Sequence, residues 1–491
     1  MSYADKIKSK EKEFRFSLFA SGSAKNSDEL EKVGLTKEKY NLICSDGSLK
    51  SGYGFADLKM PTSETDLDSE SVVDFRGDSV KAIWKLKWFD VSADTNKYYL
   101  FYFNDEGYIC YDNMFGVRVT SFIVPNTFTQ TPFCAYYRKG TQDALLLSGE
   151  GDSLTVLTGG SNEKNEDAPE IISICVYSDK LFAITASDRA SLIYTDDIEI
   201  LNFTDEKTAE LDFGDERGNL QRLISFNDYL YIFRDYGITK LSVYGTSETF
   251  AVNHLYHSDS YIYPNSICLN GEDVYFLNCN GLKKFNGTSV SDLDLDGFDL
   301  IKDINQAKCY ASIYDGKYYL ACRGKVSGDG VGCENNTQGY TNNMLFVYDI
   351  LTKQTDIVRG IDINMLLTFN NPFKSKLLAC FNGSDLIGKV GQLSKDGKFF
   401  SSPIEKYWKS TCTDFGYPNA SKRVSSFNIK SLYDCKVRIV SDRDSKEFEI
   451  GGNSDLQKIK VNLRGNEFYF EITSEDLVDI SNFVVNVSVK E

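Results

Sequence analysis

Histidine is almost absent from this chain, with two among 491 residues, His254 and His257. A zinc or haem centre built on several imidazoles is therefore disfavoured, and so is a nucleophile paired with a distant histidine base. Proline is scarce at eight residues, which leaves long stretches free to pair as strands. The twelve cysteines lie singly, and no C-x-x-C pair occurs. That spacing argues against zinc ribbons and thioredoxin-like redox motifs, and most cysteines read as reduced, small hydrophobes within apolar strands. Cys333, in the glycine-rich stretch 328–333, is the expected exposed thiol.

No run reaches the eighteen apolar residues that a membrane span requires, and residues 1–10 lack the apolar centre of a secretory signal. The expectation is a product made in a cytoplasm, with no membrane contact. The formal charge of −17 disfavours nucleic acid as a partner, because contacts with phosphate need clustered Lys and Arg. Phosphate-loop, G-x-S-x-G and Cys–His signatures are missing as well. The sequence offers no positive sign of an enzyme.

Aromatic residues are abundant, with 30 Tyr and 33 Phe, and they recur in a rhythm. About every forty-five residues an apolar strand, a tight turn of Asp, Asn or Gly and a second apolar strand follow one another. The clearest copies span Val176 to Thr185, Ser225 to Phe233, Cys268 to Leu277 and Ser312 to Ala321. Central strands are expected near Tyr98, Leu145, Leu181, Tyr229, Val274, Tyr318 and Leu377. Short third strands follow several of them, including Ala190 to Tyr194, Gly237 to Leu241, Gly281 to Phe285 and Met344 to Tyr348. Repeats of this length with three or four short strands predict an all-β fold, a β-propeller of about seven blades.

Beyond the repeats, Tyr407–Pro418 leads into Phe427–Lys430, Val437–Asp442, Ile459–Ile472 and Asn482–Val489, which alternate apolar and polar residues. They predict a small antiparallel β-sandwich. The expected organisation is an N-terminal arm and hairpin at 1–75 that could close a blade, a propeller at 76–398 and the sandwich at 399–491. Phe14, Phe16 and Leu18 alternate with Arg15 and Ser17, a pattern suited to strand addition onto a neighbour or onto the chain's own sheet.

Three constellations are candidates for chemistry. Asp292, Asp294 and Asp296 precede Gly297, and Asp303 falls at the twelfth position, which resembles the spacing of a calcium loop. Against calcium, Leu293 and Leu295 alternate with the acids as in a half-exposed strand, so a solvated acidic edge is the competing reading. His254 and His257 are three apart in a strand-rich stretch without a third ligand. Glu64, Asp66, Asp68 and Glu70, in the acidic run that continues to Asp74, have the composition of a polar linker.

Both ends of the chain, and one stretch between them, carry a resemblance. Phe14–Gly22 and Tyr40–Gly54 give an apolar arm, an Asn-containing strand, an Asp-Gly turn and a Gly-rich exit. Asp196–Phe203, Gly218–Phe226 and Tyr229–Phe233 supply the pattern of a middle blade, and 407–489 supplies the terminal module. In this order they resemble propeller-type structural proteins of tailed-bacteriophage virions. The resemblance implies a non-enzymatic component of the neck or tail, held by contacts with other virion proteins near the portal and present as a symmetric homo-oligomer. It implies no catalytic residues and no cofactor other than the calcium considered above. Two alternatives stay open: receptor or glycan binding at a tail tip, and a propeller glycosidase or lyase acting on cell-surface polysaccharide. A bacterial scaffold of the same fold is a further one, since fold does not dictate function.

Overall fold

A computed structural model describes residues 10–15, 36–45, 47–62, 68–73, 75, 79–90, 94–104, 109–113, 133–139, 142–149, 152–157, 162–195, 203, 208–245, 249–326, 342–370, 375–382 and 388–489. Among them the regular structure is strand, with short 3-10 turns such as Pro264–Ser266 and no α-helix. The fold is all-β, made of many small, mostly antiparallel sheets. Cys333, Glu64, Asp66, Asp74, Phe16 and Leu18 lie outside the described residues. The chain divides into two compact units, Asp57–Met344 with Ile361–Gln392, and Met1–Ala56 with Leu345–Gly360 and Leu393–Glu491.

In the first unit the predicted hairpins form. Ile171–Tyr177 pairs with Lys180–Thr185, Leu220–Phe226 with Tyr229–Arg234, Cys268–Asn270 with Asp273–Asn278, and Tyr310–Tyr314 with Lys317–Cys322. The turns explain why. Ser178 and Asp179 have φ of 50° and 55°, Asn227 and Asp228 49° and 58°, and Asp315 and Gly316 48° and 69°. Two successive residues at positive φ make the turn whose twist matches paired strands, and Asn, Asp and Gly tolerate that region best. Each of the seven expected central strands is present and pairs antiparallel with the strand before it.

The aromatic residue ahead of the turn links one hairpin to the next. Tyr177 Oη donates to the Asp228 carbonyl, and Tyr314 Oη donates to the Ser375 carbonyl at 3.0 Å. Deeper in the sheets, Tyr231 Oη reaches the Gly287 carbonyl at 3.2 Å and Tyr318 Oη the Ser266 carbonyl at 2.7 Å. A tyrosine thus fills the space between sheets with its ring and satisfies its hydroxyl at the far side. A bulge recurs near the start of the leading strand, at Val80/Ala82, Ile171/Ser173, Leu220/Arg222 and Ile363/Met365. Around it, buried Ser173 accepts the Leu223 amide at 3.0 Å, tying two sheets together. One core gathers Val80, Trp84 and Phe101 with Leu147 and with Met365, Phe369 and Leu378, so the first and last repeats of this unit pack on each other.

The second unit holds two sheets around one core. Lys422–Ser431 and Asp479–Val489 pair in one sheet, and Cys435–Ser441 and Phe468–Ser474 in the other. Their inward residues, among them Trp408, Phe427, Val437, Phe470 and Val485, are fully buried. N-terminal strands join both sheets. Lys10–Arg15 pairs antiparallel with Val484–Val489, and Thr36–Tyr40 pairs with Lys406–Ser410. Phe14 explains the docking of the arm, since its ring lies 4.8 Å from that of Phe415.

Asn41 connects three segments of this unit. It is 3% exposed at φ 58°, its Nδ2 donates to the Glu405 carbonyl at 2.7 Å and the Arg359 carbonyl at 3.3 Å, and its Oδ1 accepts the Arg359 amide at 2.9 Å. Its own amide donates to the Ile357 carbonyl at 2.8 Å. A short side chain with a donor and an acceptor that also tolerates the left-handed region is needed there, which describes asparagine.

Candidate functional site

Hairpin turns and connections between sheets of the first unit form a cleft of about 630 Å³. Its walls come from four places in the chain. Tyr236 sits in the turn before strand Gly237–Ser242, and Tyr261 and Tyr263 lie in the connection after strand Ala251–His257. Cys279 and Asn280 form the turn between Asp273–Asn278 and Gly281–Phe285, and residues 301–307 connect the following sheet onward.

Backbone bonds hold these turns in place. The Ile262 amide donates to the Asp235 carbonyl at 2.9 Å, the Tyr263 amide to the Leu277 carbonyl at 3.0 Å and the Cys279 amide to the Tyr261 carbonyl at 3.2 Å. Gln306, 3% exposed, donates to the Arg323 carbonyl at 2.6 Å and accepts the Arg323 amide at 2.9 Å, which pins the far wall. The three tyrosines stand edge to face, with Tyr236 and Tyr261 centroids 6.2 Å apart and Tyr261 and Tyr263 centroids 5.5 Å apart. Burial, followed by the nearby Asp235 carboxylate, pushes the Tyr261 hydroxyl up from its ordinary range. Burial and the 3.2 Å contact with the Cys279 thiol do the same to Tyr263. Both phenols therefore stay protonated and remain hydrogen-bond donors at neutral pH.

The sequence-derived candidates are dispersed. Asp292 lies in strand Val290–Leu293 with its side chain 84% exposed and 2.5 Å from Lys283 Nζ, which has a buried stem. Asp294 and Asp296 follow on either side of buried Leu295, and Gly297, at φ 81°, opens the short turn Phe298–Leu300. Asp303, at φ 63°, lines the cleft. Among the described residues no three His, Cys, Asp or Glu side chains gather as a metal site. Glu70 pairs with Lys376 at 3.2 Å, and strand Glu70–Val72 pairs with Lys59–Pro61.

His254 instead joins a charged cluster. Its Nδ1 is 3.0 Å from Thr239 Oγ1 and its Nε2 3.9 Å from Asp215 Oδ2, while His257 is exposed at the strand's end. Asp215 lies 2.8 Å from the fully buried Arg234 and 3.1 Å from Arg217. Burial alone would raise the Asp215 carboxyl, but the Arg217 amide and the two guanidinium groups outweigh it and hold the group below its ordinary range. Burial and then Arg217 lower the His254 imidazole. Arg234 also donates to the Phe213 and Gly218 carbonyls. The cluster closes a loop onto its sheet, and within it the buried Arg217 Nε has no hydrogen-bond partner among the described residues.

Of the cysteines, Cys309, Cys322, Cys380 and Cys435 are buried, whereas Cys279 and Cys412 are exposed. Sequence reasoning missed the cleft. Its one available signal was the density of Tyr, Asn and Asp in successive connections.

No family model and no curated protein matches the chain. Among solved structures it is similar to BBS1N from a complex with ARL6DN, at 10% identity and a TM-score of 0.41, covering 69% of this chain and 96% of that one. It is also similar to the extracellular domain of the one-component system BT4673 from B. thetaiotaomicron, at 11% identity and a TM-score of 0.40, covering 91% of this chain and 61% of that one. Kluyveromyces lactis Hsv2 is a third, at 7% identity and a TM-score of 0.35, covering 59% and 87% of the two chains.

Proposed function

We propose that this chain is a structural component of a tailed-phage or prophage virion, a seven-bladed β-propeller joined to a β-sandwich, working through surfaces and not through turnover. The seven hairpin groups and the core shared by Val80, Phe101, Met365 and Leu378 support a closed ring of seven blades. Two sheets enclosing Trp408, Phe427 and Phe470 support the sandwich.

The observation that carries the assembly reading is the strand Lys10–Arg15, which adds to Val484–Val489 through backbone pairing. Strand addition serves a chain's own sheet or a neighbour's with the same bonds, so such an arm suits docking between copies and other virion proteins of a neck or tail. Synthesis in the host cytoplasm followed by incorporation into the particle fits this role. Quantitative mass spectrometry of purified virions tests it: the chain is expected at a copy number set by ring symmetry. Particles that are intact and infectious without it would sink the proposal.

A further inference from the structure

We propose that the tyrosine-lined cleft is a binding site for a neutral oligosaccharide, an activity beyond the structural role and independent of it. Its volume of about 630 Å³ falls in the range of small-ligand sites, about 300–1,000 Å³. The chemistry of its walls selects the class of ligand. Tyr236 is 39% exposed and Tyr261 half-buried, so both offer ring surface to a ligand, and Tyr263, at 5% exposure, lines the cleft beside them. The C–H face of a pyranose ring covers such surfaces, and the protonated phenols supply donors at their rims.

Around the rings stand polar groups suited to hydroxyls. Asn280 is exposed in its turn, and Lys302 and Asp303 are exposed on the opposite connection. Together they provide donors and acceptors in roughly equal supply, as a polyol needs. One lysine is too little cation for a phosphate or nucleotide in a chain of net charge −17. A lipid would leave the amides and the carboxylate unpaired.

Among the described residues, Asp303 is the one carboxylate lining the cleft. Nearby Asp235 is already engaged, accepting the Asn219 amide at 2.9 Å and the Gln221 side-chain amide. Glycoside hydrolysis by the usual route needs two free carboxyl groups about 5–10 Å apart. The activity proposed for the cleft is therefore sugar binding, with no hydrolytic step assigned to it.

The test is titration of the full-length protein with neutral trisaccharides of glucose, mannose, galactose and N-acetylglucosamine, read by calorimetry and by saturation-transfer NMR, with AMP and inorganic phosphate as anionic probes. At least one trisaccharide is expected to bind with a Kd of about 1 mM or tighter. Tyr261→Ala should weaken it about tenfold or more, and Tyr261→Phe, which keeps the ring, by no more than about threefold. Asn280→Ala, in an exposed turn, should weaken binding without touching the core, so a folding defect in the tyrosine variant does not decide the outcome. Three results would each overturn the proposal: no trisaccharide binds, binding is unchanged in Asn280→Ala and Tyr261→Ala, or AMP or phosphate is the preferred ligand. None bears on whether virions contain the chain, which particle analysis reads separately.

Discussion

Replacing Asn41 by alanine should destabilise the two-sheet unit far more than its small size suggests. The side chain makes three hydrogen bonds at 2.7, 3.3 and 2.9 Å from a site 3% exposed to solvent. Truncation leaves the Arg359 amide and the Glu405 carbonyl without that partner. An unsatisfied buried group costs about 1–3 kcal/mol, and water has little access to repair the loss. Alanine at φ 58° adds about 1 kcal/mol of backbone strain that asparagine largely avoids. With two groups stranded and the strain added, the sum is at least about 3 kcal/mol. Asn41→Gly separates the two parts, because it loses the same bonds without the strain and should be about 1 kcal/mol milder. Asn41→Asp places a carboxylate against two carbonyl oxygens and should be at least as damaging as alanine at neutral pH. Urea denaturation followed by tryptophan fluorescence suits the measurement, since Trp408 is fully buried in this unit with its indole N–H 2.9 Å from Thr36 Oγ1. An Asn41→Ala protein that unfolds within about 1 kcal/mol of the parent, or at the same midpoint as Asn41→Gly, would refute this account of the side chain.

Asp215→Ala should cost about 3–5 kcal/mol in the first unit, because it strands the fully buried Arg234 guanidinium, whereas Arg234→Met should cost less than Arg234→Ala by keeping volume; urea midpoints decide this. The Asp215 carboxyl is held below its ordinary range, so the stability it confers is present above about pH 4 and lost as pH falls through its lowered value; Asp215→Asn should flatten that acid limb. Gly388→Ala should cost several kcal/mol or prevent folding, since φ is 73° and a Cβ would lie 2.3 Å from the Ser79 Cα; thermal unfolding by circular dichroism reads it, with exposed Gly271→Ala, which meets no neighbour, as the milder comparison. Lys406 is 1% exposed, and burial lowers its ammonium to about 8. Below that pH the folded state carries a buried charge, and the penalty is relieved as pH rises toward the unfolded value, so the parent should gain on Lys406→Met between pH 7 and 10 by up to about 3 kcal/mol. A constant difference across that range would contradict the burial argument.

The candidate sites show how far local pattern reaches. The acidic spacing from Asp292 to Asp303 is plain in the chain, but whether those carboxylates converge depends on pairing. Strand register places Asp292 opposite Lys283, and Asp303, beyond the turn after Gly297, lines the cleft instead. His254 and His257 likewise look like a pair in sequence, and a bulge between Ile238 and Thr239 sets how each meets its neighbouring strand. The cleft escaped because its residues come from four connections, each unremarkable by itself.

The sequence by itself determined the hairpins. Ser178-Asp179, Asn227-Asp228 and Asp315-Gly316 are turn dipeptides flanked by alternating apolar residues, and both signals act over fewer than about ten positions. Local interactions of that range need no partner elsewhere to be read. Tertiary structure alone decided the docking of Lys10–Arg15 on Val484–Val489, the three-way bonding of Asn41 and the tyrosine cleft. The first two join groups hundreds of residues apart and the cleft gathers residues from 236 to 307, distances over which many strands of similar composition compete. Packing and register choose among them, and neither is written in any one segment.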